Sequence, residues 1–373
     1  MKIVLAELIP FGMDKDLVAQ RLEELQQLIE TYWWLTVLKV IQQKAHPDYR
    51  LYLGSWKIEE IKEDMQLLWA DVLIIWNILK PGQIYNINEE MKKIGKQARD
   101  RVDLILKIFE RHAQSMEARL QIQLASIKHM GPRIFGMGME LSRQGWWSAL
   151  ARWLGETNTE IMKRHLAKKI KQIEHQLSQY DQVRTINRES RKKKSLSTVW
   201  LVGYTNAGKS SLMNTLTHKG VLVANKLFAT LWTSVGELYF PNILGKGEKI
   251  LINDTIGFIR DLPPALIKAF RSTLEDSIEA DLLLHVVDAG DILMDDKLCV
   301  VNNILDNIGA HQARILVFNK IDLISSERKK TLIEKFWEKA FYISSVNWTW
   351  IEELKKYLSD YVLESKLECL AVQ

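Results

Sequence analysis

The residues with the clearest chemical purpose run from Gly203 to Ser210, GYTNAGKS. They follow the apolar run Thr198 to Val202 and precede SLMNTLTH, a segment of helical composition. Glycines at 203 and 208 let the backbone curl until its N–H groups face one spot, at the start of a helix whose dipole favours anions. Tyr204, Thr205, Asn206 and Ala207 supply the amides between them. Lys209 offers an ammonium to the outer phosphates, and Ser210, with Ser211 behind it, offers a hydroxyl to Mg²⁺. This is chemistry for a nucleoside triphosphate. An eight-residue pattern can arise by chance, so its weight depends on support from residues further along the chain.

Three such elements stand downstream in a fixed order. Asp254-Thr255-Ile256-Gly257 comes after the apolar Ile250 to Ile252, placing a carboxylate near the Mg²⁺ position and a glycine amide where γ-phosphate would be met. Asn319-Lys320-Ile321-Asp322 stands after Ile315 to Phe318. The Asp322 carboxylate can accept from N1–H and the exocyclic amine of guanine, which adenine cannot offer, so GTP and GDP are the expected ligands. Ser344-Ser345, with Val346 next, follows Phe341 to Ile343, where a backbone N–H can read guanine O6. Between the first two elements, Phe228-Ala229-Thr230-Leu231 forms a candidate switch loop. A threonine hydroxyl there completes the Mg²⁺ shell only while γ-phosphate holds the loop closed. Thr230 is the first candidate and Thr233 its rival. Ser210 and Thr230 are thus the expected metal ligands, and Lys209, Asn206 and Thr230 the expected catalytic groups. Phe258 follows Gly257 and cannot orient an attacking water, so slow intrinsic hydrolysis is expected.

The elements that must position these residues are legible in the hydrophobic pattern. Residues 1–98 alternate short β-type runs (Ile3 to Leu8, Leu35 to Ile41, Val72 to Ile75) with amphipathic stretches (Leu17 to Ile29, Ile58 to Leu68), the rhythm of a small α/β domain. Residues 99–194 read as a long antiparallel helical hairpin. Its first arm carries Ile105, Phe109, Ala113, Met116, Leu120, Leu124 and Ile127 on one face. Its second carries Leu166, Ile170, Ile173, Leu177 and Tyr180 in a coiled-coil seam, and a loop from Gly131 to Asn158 joins them. Residues 195–373 read as a P-loop domain, a mostly parallel sheet with helices on both faces.

Composition narrows the classes further. Only Cys299 and Cys369 are present, which excludes a disulfide framework and a zinc site of four cysteines. No segment stays apolar long enough to span a bilayer, so no membrane insertion is expected, and a cytoplasmic location is. Net charge is only +5, but the basic residues are concentrated. From Glu160 to Lys194 stand eleven Lys or Arg (Lys163, Arg164, Lys168, Lys169, Lys171, Arg184, Arg188, Arg191 and Lys192 to Lys194) against four acids. Such a stripe suits a polyanion, and a solvated helix face followed by a basic linker is the alternative.

The combination GYTNAGKSSL, NKLFATL, DTIGFIRDLPPALIKAFRSTLE, ADLLLHVVDA and NKID resembles the HflX family of translational GTPases. The resemblance continues upstream through DYRLYLGSWKIEEI, ILKPGQ, RLQIQLASIKHMGPRIFGMGMELSRQG and LGETNTE. It implies a ribosome-associated GTPase, expected as a monomer, whose N-terminal domain and hairpin enter the large subunit and contact rRNA, with splitting or rescue of stalled ribosomes as the output. A ribosome-assembly GTPase and a nucleotide-gated RNA-binding module without meaningful hydrolysis are the alternatives. In related GTPases that lack the catalytic glutamine, an asparagine of the phosphate loop helps to hold K⁺. Asn206 occupies that place, and simple tolerance of a turn is its other explanation.

Against the family, the composition acquires a pattern. Glycine numbers 18, where a chain of 373 residues would ordinarily carry about 26, while tryptophan at 13 exceeds Phe and Tyr at 10 each. Trp146, Trp147 and Trp153 stand at or beside glycine positions of the family's tip, and Trp56 in a glycine turn. Trp348 and Trp350 stand in a loop of the form TGEG, and Trp69 where a glycine ends a helix. A tryptophan-rich core would use periodic apolar positions, which these mostly miss. Turns and helix C-caps call for φ > 0, which bulky residues rarely adopt. The expectation is either a diverged tip or a codon written here as Trp and read in the cell as Gly.

Overall fold

The computed structural model describes residues 1–113, 115–141, 158–193, 197–217, 234–241, 247–254, 257–260, 280–336 and 340–371. The switch candidates Phe228, Ala229, Thr230, Leu231 and Thr233 lie outside them, as do Thr255, Ile256 and the tip tryptophans 146, 147 and 153. The chain forms two compact units, one within Met1–Tyr180 and the other drawn from Asp181 onward.

The first unit contains a parallel sheet of four strands, β1 (Lys2–Ile9), β2 (Leu35–Gln43), β3 (Val72–Ile75) and β4 (Gln97–Asp100), in the order β2-β1-β3-β4. Helices α1 (Lys15–Thr31), α2 (Ser55–Leu67), α3 (Pro81–Lys92) and α4 (Arg101–His112) connect and cover it. Val4, Ala6, Leu73 and Ile75 pack with Ile58, Ile61 and Met65 of α2 and Ile84, Ile87 and Met91 of α3. Strand β4 and helix α3 have no counterpart in the hydrophobic pattern. QARD is polar and becomes a strand only through its register with Val72–Ile75. Asp100 then ends the strand and caps α4, accepting from Asp103 N–H at 3.0 Å.

The hairpin departs from expectation in two places. The first arm is two helices, because α4 ends at His112, Ala113 is extended (φ −64, ψ 104), and α5 begins at Met116. The spacing of four and three continues in phase across the break, so periodicity joins what the backbone separates. Second, α5 runs on to Leu141, beyond the Gly131-Pro132 pair at which the loop was expected. Gly131 lies beside the second arm, α6 (Asn158–Lys193), where a Cβ on it would stand 3.8 Å from Leu166 Cδ1. Leu120 and Leu124 meet Ile173, with Ile127, Ile170, Leu177 and Tyr180 around them. The Lys128–Glu174 pair at 3.0 Å agrees with an antiparallel register.

The second unit has six strands in the order β10-β9-β8-β5-β7-β6, with β5 (Ser197–Val202), β6 (Ser234–Pro241), β7 (Gly247–Asp254), β8 (Leu282–Asp288), β9 (Arg314–Asn319) and β10 (Ala340–Tyr342). All neighbours are parallel except β6, which runs antiparallel to β7 at the edge. One face packs Leu284, Val286 and Val317 against α7 (Lys209–Thr217) and α10 (Ile351–Ala371). The other packs Val287 and Phe318 against α8 (Met294–Ile308) and α9 (Ser326–Phe336). Central β8 is buried from Leu282 to Val287, so both faces read as one apolar run. Leu284 is fully buried at its middle. Leu284→Ala is expected to cost about 2–5 kcal/mol, measured as a lower urea midpoint at unchanged slope.

Candidate functional site

The four chemical elements stand at the C-terminal ends of β5, β7, β9 and β10, which run parallel in one sheet. Gly203 to Gly208 curls between β5 and α7, and all three of the site's glycines admit no side chain: a Cβ on Gly203 would stand 2.2 Å from Val286 O. Gly208 has φ +91, and a Cβ on it would stand 2.2 Å from Asn319 Nδ2. A Cβ on Gly257 would meet Thr205 Cα at 2.7 Å and Lys209 Nζ at 2.9 Å.

Lys209 opens α7 with its ammonium buried inside the curl. Nζ donates to the carbonyls of Tyr204 at 2.8 Å and Gly203 at 3.1 Å. Burial lowers its pKa from 10.5 to about 8, and the Asp254 carboxylate opposes that fall. Ser210 Oγ donates to Asp254 Oδ2 at 2.6 Å, and Asp254 is fully buried. Ser211 lies in the first turn of α7, where its carbonyl accepts from Thr215 Oγ1 at 2.9 Å.

Beyond Asp254 the chain returns to the loop. Thr205 N–H donates to Phe258 C=O at 2.8 Å, and Phe258 N–H donates to Gly203 C=O at 3.1 Å. Together they make a parallel bridge between Tyr204 and Phe258. Phe258 is 2% exposed and apolar, so it packs and does not polarise. Tyr204 is buried as well; its hydroxyl accepts from Arg260 N–H at 2.7 Å, and Lys297 Nζ lies 4.8 Å from the centre of its ring.

Asn319 joins the Gly203–Gly208 loop to the Ser344–Val346 turn. Its Nδ2 donates to Ala207 C=O at 3.1 Å, and its Oδ1 accepts from Ser345 N–H at 3.1 Å and Ser345 Oγ at 2.7 Å. Lys320 is left-handed at φ 63, its Nζ donating to Asn206 C=O at 2.8 Å and pairing with Asp288 at 2.7 Å. The Ile321 side chain is buried beneath this turn, while Asp322 and Val346 are exposed. Ser344 is buried, and its Oγ accepts from Asn347 N–H at 3.1 Å. The fold therefore brings together Gly203 to Ser211, Asp254, Gly257, Asn319 to Asp322 and Ser344 to Val346. Two contributors escaped the motif reading. Asp288, the partner of Lys320, was signalled only by a carboxylate ending an apolar run. Thr215, whose Oγ1 donates to Ser345 C=O at 3.0 Å, carries no motif at all.

The buried ammonium has a measurable cost. Between about pH 8 and 10.5 the folded state binds fewer protons at Lys209 than the unfolded chain does, so stability rises with pH across that window. Below it the full penalty is present. Lys209→Met is expected to raise the thermal midpoint of the nucleotide-free protein at pH 7 by several degrees and to flatten the rise at alkaline pH. It should also abolish tight nucleotide binding, read by calorimetry.

Three family models match successive stretches: "GTP-binding GTPase N-terminal" over residues 19–110, "GTP-binding GTPase Middle Region" over 112–191 and "50S ribosome-binding GTPase" over 198–320. The chain is 40% identical over 306 residues to the GTPase HflX of Caldanaerobacter subterraneus subsp. tengcongensis, covering 82% of this chain and 70% of that one. With the GTPase HflX of Escherichia coli K12 it shares 38% identity, covering 84% and 72%. With that of Flavobacterium psychrophilum it shares 34%, covering 97% and 91%. Among solved structures, the complex of SsGBP with GDP superposes with a TM-score of 0.52 at 26% identity, covering 98% of this chain and 99% of that one. With its phosphate loop and base-side turn on one parallel sheet, the chain belongs to the HflX family of GTPases.

Proposed function

We propose that this GTPase acts on the large ribosomal subunit, splitting or rescuing stalled ribosomes, and that its helical hairpin is the arm that contacts rRNA. The observation that carries the reading is the division of labour on α6. Its apolar seam is spent on α5, while Lys163, Arg164, Lys168, Lys169 and Lys171 are all exposed. A helix that packs an apolar seam on its neighbour and presents a run of cations to solvent suits a phosphate backbone. One of the matching family models is described as a ribosome-binding GTPase, which points the same way. The reading divides the chain into an N-terminal α/β domain (1–98), the hairpin (99–194) and the G domain (195–373). Among the described residues no helix is long and apolar enough to cross a membrane.

At the nucleotide, the residues divide the work by charge. Lys209 and the loop amides from Gly203 to Gly208 stabilise phosphate oxygens, and Asp322 and the Ser345 turn select guanine. Ser210 and Asp254 are adjacent hard oxygen donors, a pair that fits Mg²⁺. With Thr230 they would hold that ion, which supplies charge neutralisation between the outer phosphates. Because Phe258 cannot orient water, further positive charge must reach the transition state from elsewhere. Asn206 crowns the loop at φ 65 with its side chain exposed, the place from which an amide oxygen can hold K⁺.

The test is GTP hydrolysis with and without purified large subunits, in K⁺ and in Na⁺, beside a sedimentation profile of intact ribosomes. Stimulation of turnover by at least tenfold and a GTP-dependent loss of intact particles are expected. Turnover indifferent to large subunits would sink the ribosomal reading. Replacement of K⁺ by Na⁺ is expected to slow the stimulated rate severalfold, and unchanged rates would remove the K⁺ assignment.

A further inference from the structure

Two helices of the first unit end in the same way. After α1, Trp33 N–H donates to Glu30 C=O at 2.9 Å and Trp34 N–H to Ile29 C=O at 3.2 Å, with Trp33 at φ 66. After α2, Trp69 N–H donates to Gln66 C=O at 3.3 Å and Ala70 N–H to Met65 C=O at 2.9 Å, with Trp69 at φ 54. These are the paired bonds of a Schellman cap, whose pivot residue must be left-handed and is usually glycine.

The same chain closes the same pair of bonds around glycine twice. Gly95, at φ 69, donates to Lys92 C=O at 2.9 Å while Lys96 N–H reaches Met91 C=O at 3.0 Å. Gly309, at φ 82, donates to Asp306 C=O at 3.0 Å while Ala310 N–H reaches Leu305 C=O at 3.0 Å. One backbone device is thus built on Gly at two sites and on Trp at two others. Trp348 and Trp350, both at φ 57, flank Thr349, whose N–H and C=O pair with Ser344 at 3.2 and 3.3 Å. Tryptophan therefore accounts for four of the seven non-glycine residues of positive φ among the described residues.

Burial does not explain them. The four are 69%, 79%, 50% and 54% exposed, in chain order, whereas Trp34, Trp76 and Trp200 are 8%, 2% and 2% exposed and keep ordinary φ. Arg111 and Lys355 reach over the rings of Trp33 and Trp348 at 5.8 and 5.7 Å, but these are solvent-facing contacts that do not require an indole. Trp56 differs from the four. It is exposed but sits in the first turn of α2 without positive φ, so its glycine-like place in the family pattern has no backbone counterpart here.

We propose that positions 33, 69, 348 and 350 are glycine in the polypeptide made by the cell of origin, the codon rendered as tryptophan being read there as glycine. Among the described tryptophans, buried Trp34, Trp76 and Trp200 then stand apart from exposed left-handed pivots at 33, 69, 348 and 350.

Peptide mass spectrometry of the protein purified from its native source tests this directly. Peptides spanning the four positions are expected to lose, per position, the fixed mass difference between an indolylmethyl group and a hydrogen. Tryptophan found at all four would overturn the proposal. The chain made heterologously with tryptophan at these positions gives a second measurement. Trp69→Gly is expected to raise the thermal midpoint by several degrees and Trp69→Ala by less, because alanine removes the ring but keeps the Cβ that opposes φ > 0. A glycine variant no more stable than the alanine variant would count against the proposal.

Discussion

A buried ammonium organises the nucleotide site. Once Lys209 is enclosed, its charge must be met by fixed dipoles, and the loop supplies them as the carbonyls of Gly203 and Tyr204. A loop wound tightly enough to do this leaves no room for side chains where it approaches Asn319 and Gly257. Asn319 is then held in place by its bonds to Ala207 and Ser345, and Lys320 by its bonds to Asn206 and Asp288. The Gly203–Gly208 loop and the turns at Asn319 and Ser345 are therefore joined by one hydrogen-bond network. The energetic direction is informative as well. Burial pushes the Lys209 ammonium towards its neutral form, and an anion held at the loop would favour the charged form again.

The parallel sheet turns that network into a site. Its order puts the ends of β5, β7, β9 and β10 along one edge, so segments far apart in sequence need only short turns to meet. The first unit uses its own sheet differently, as support for helices. Its second-arm helix, α6, packs Ile173 and its neighbours on α5 and leaves Lys163, Arg164, Lys168, Lys169 and Lys171 exposed, so one segment both holds the fold and presents charge.

Much of this was legible in the sequence, for identifiable reasons. The phosphate loop, the Asp254 element and the Asn319 element were readable because each couples a fixed residue type to an apolar strand. Buried parallel strands such as Leu282–Asp288 announce themselves as unbroken apolar runs. What escaped was whatever neighbours decide. QARD is a strand only beside β3, and α5 continues past Gly131-Pro132, where local propensity predicts a loop. The break at Ala113 hid because two helices share a phase across it. Strand β6 escaped because it pairs antiparallel at an edge of a sheet otherwise read as parallel, its burial alternating along Ser234–Pro241. The tryptophans mark the reverse case, where composition raised the question and backbone angles answered part of it. Trp33, which lies outside the motifs that carry the resemblance, is a helix-cap pivot, and Trp56 is not.

The bridge between Tyr204 and Phe258 makes the phosphate loop an extension of the sheet. Strands β5 and β7 are already paired from Ser197–Ile250 to Leu201–Asp254, and the Thr205 and Phe258 amides resume that pairing a few residues later. Part of a nucleotide-binding loop is thereby ordered when the sheet forms, and its conformational entropy is lost at that moment. A ligand arriving later meets amides that are already aligned, so less of its interaction free energy is consumed in ordering them. Affinity for phosphate in this molecule is, to that extent, a property of how well two neighbouring strands are zipped.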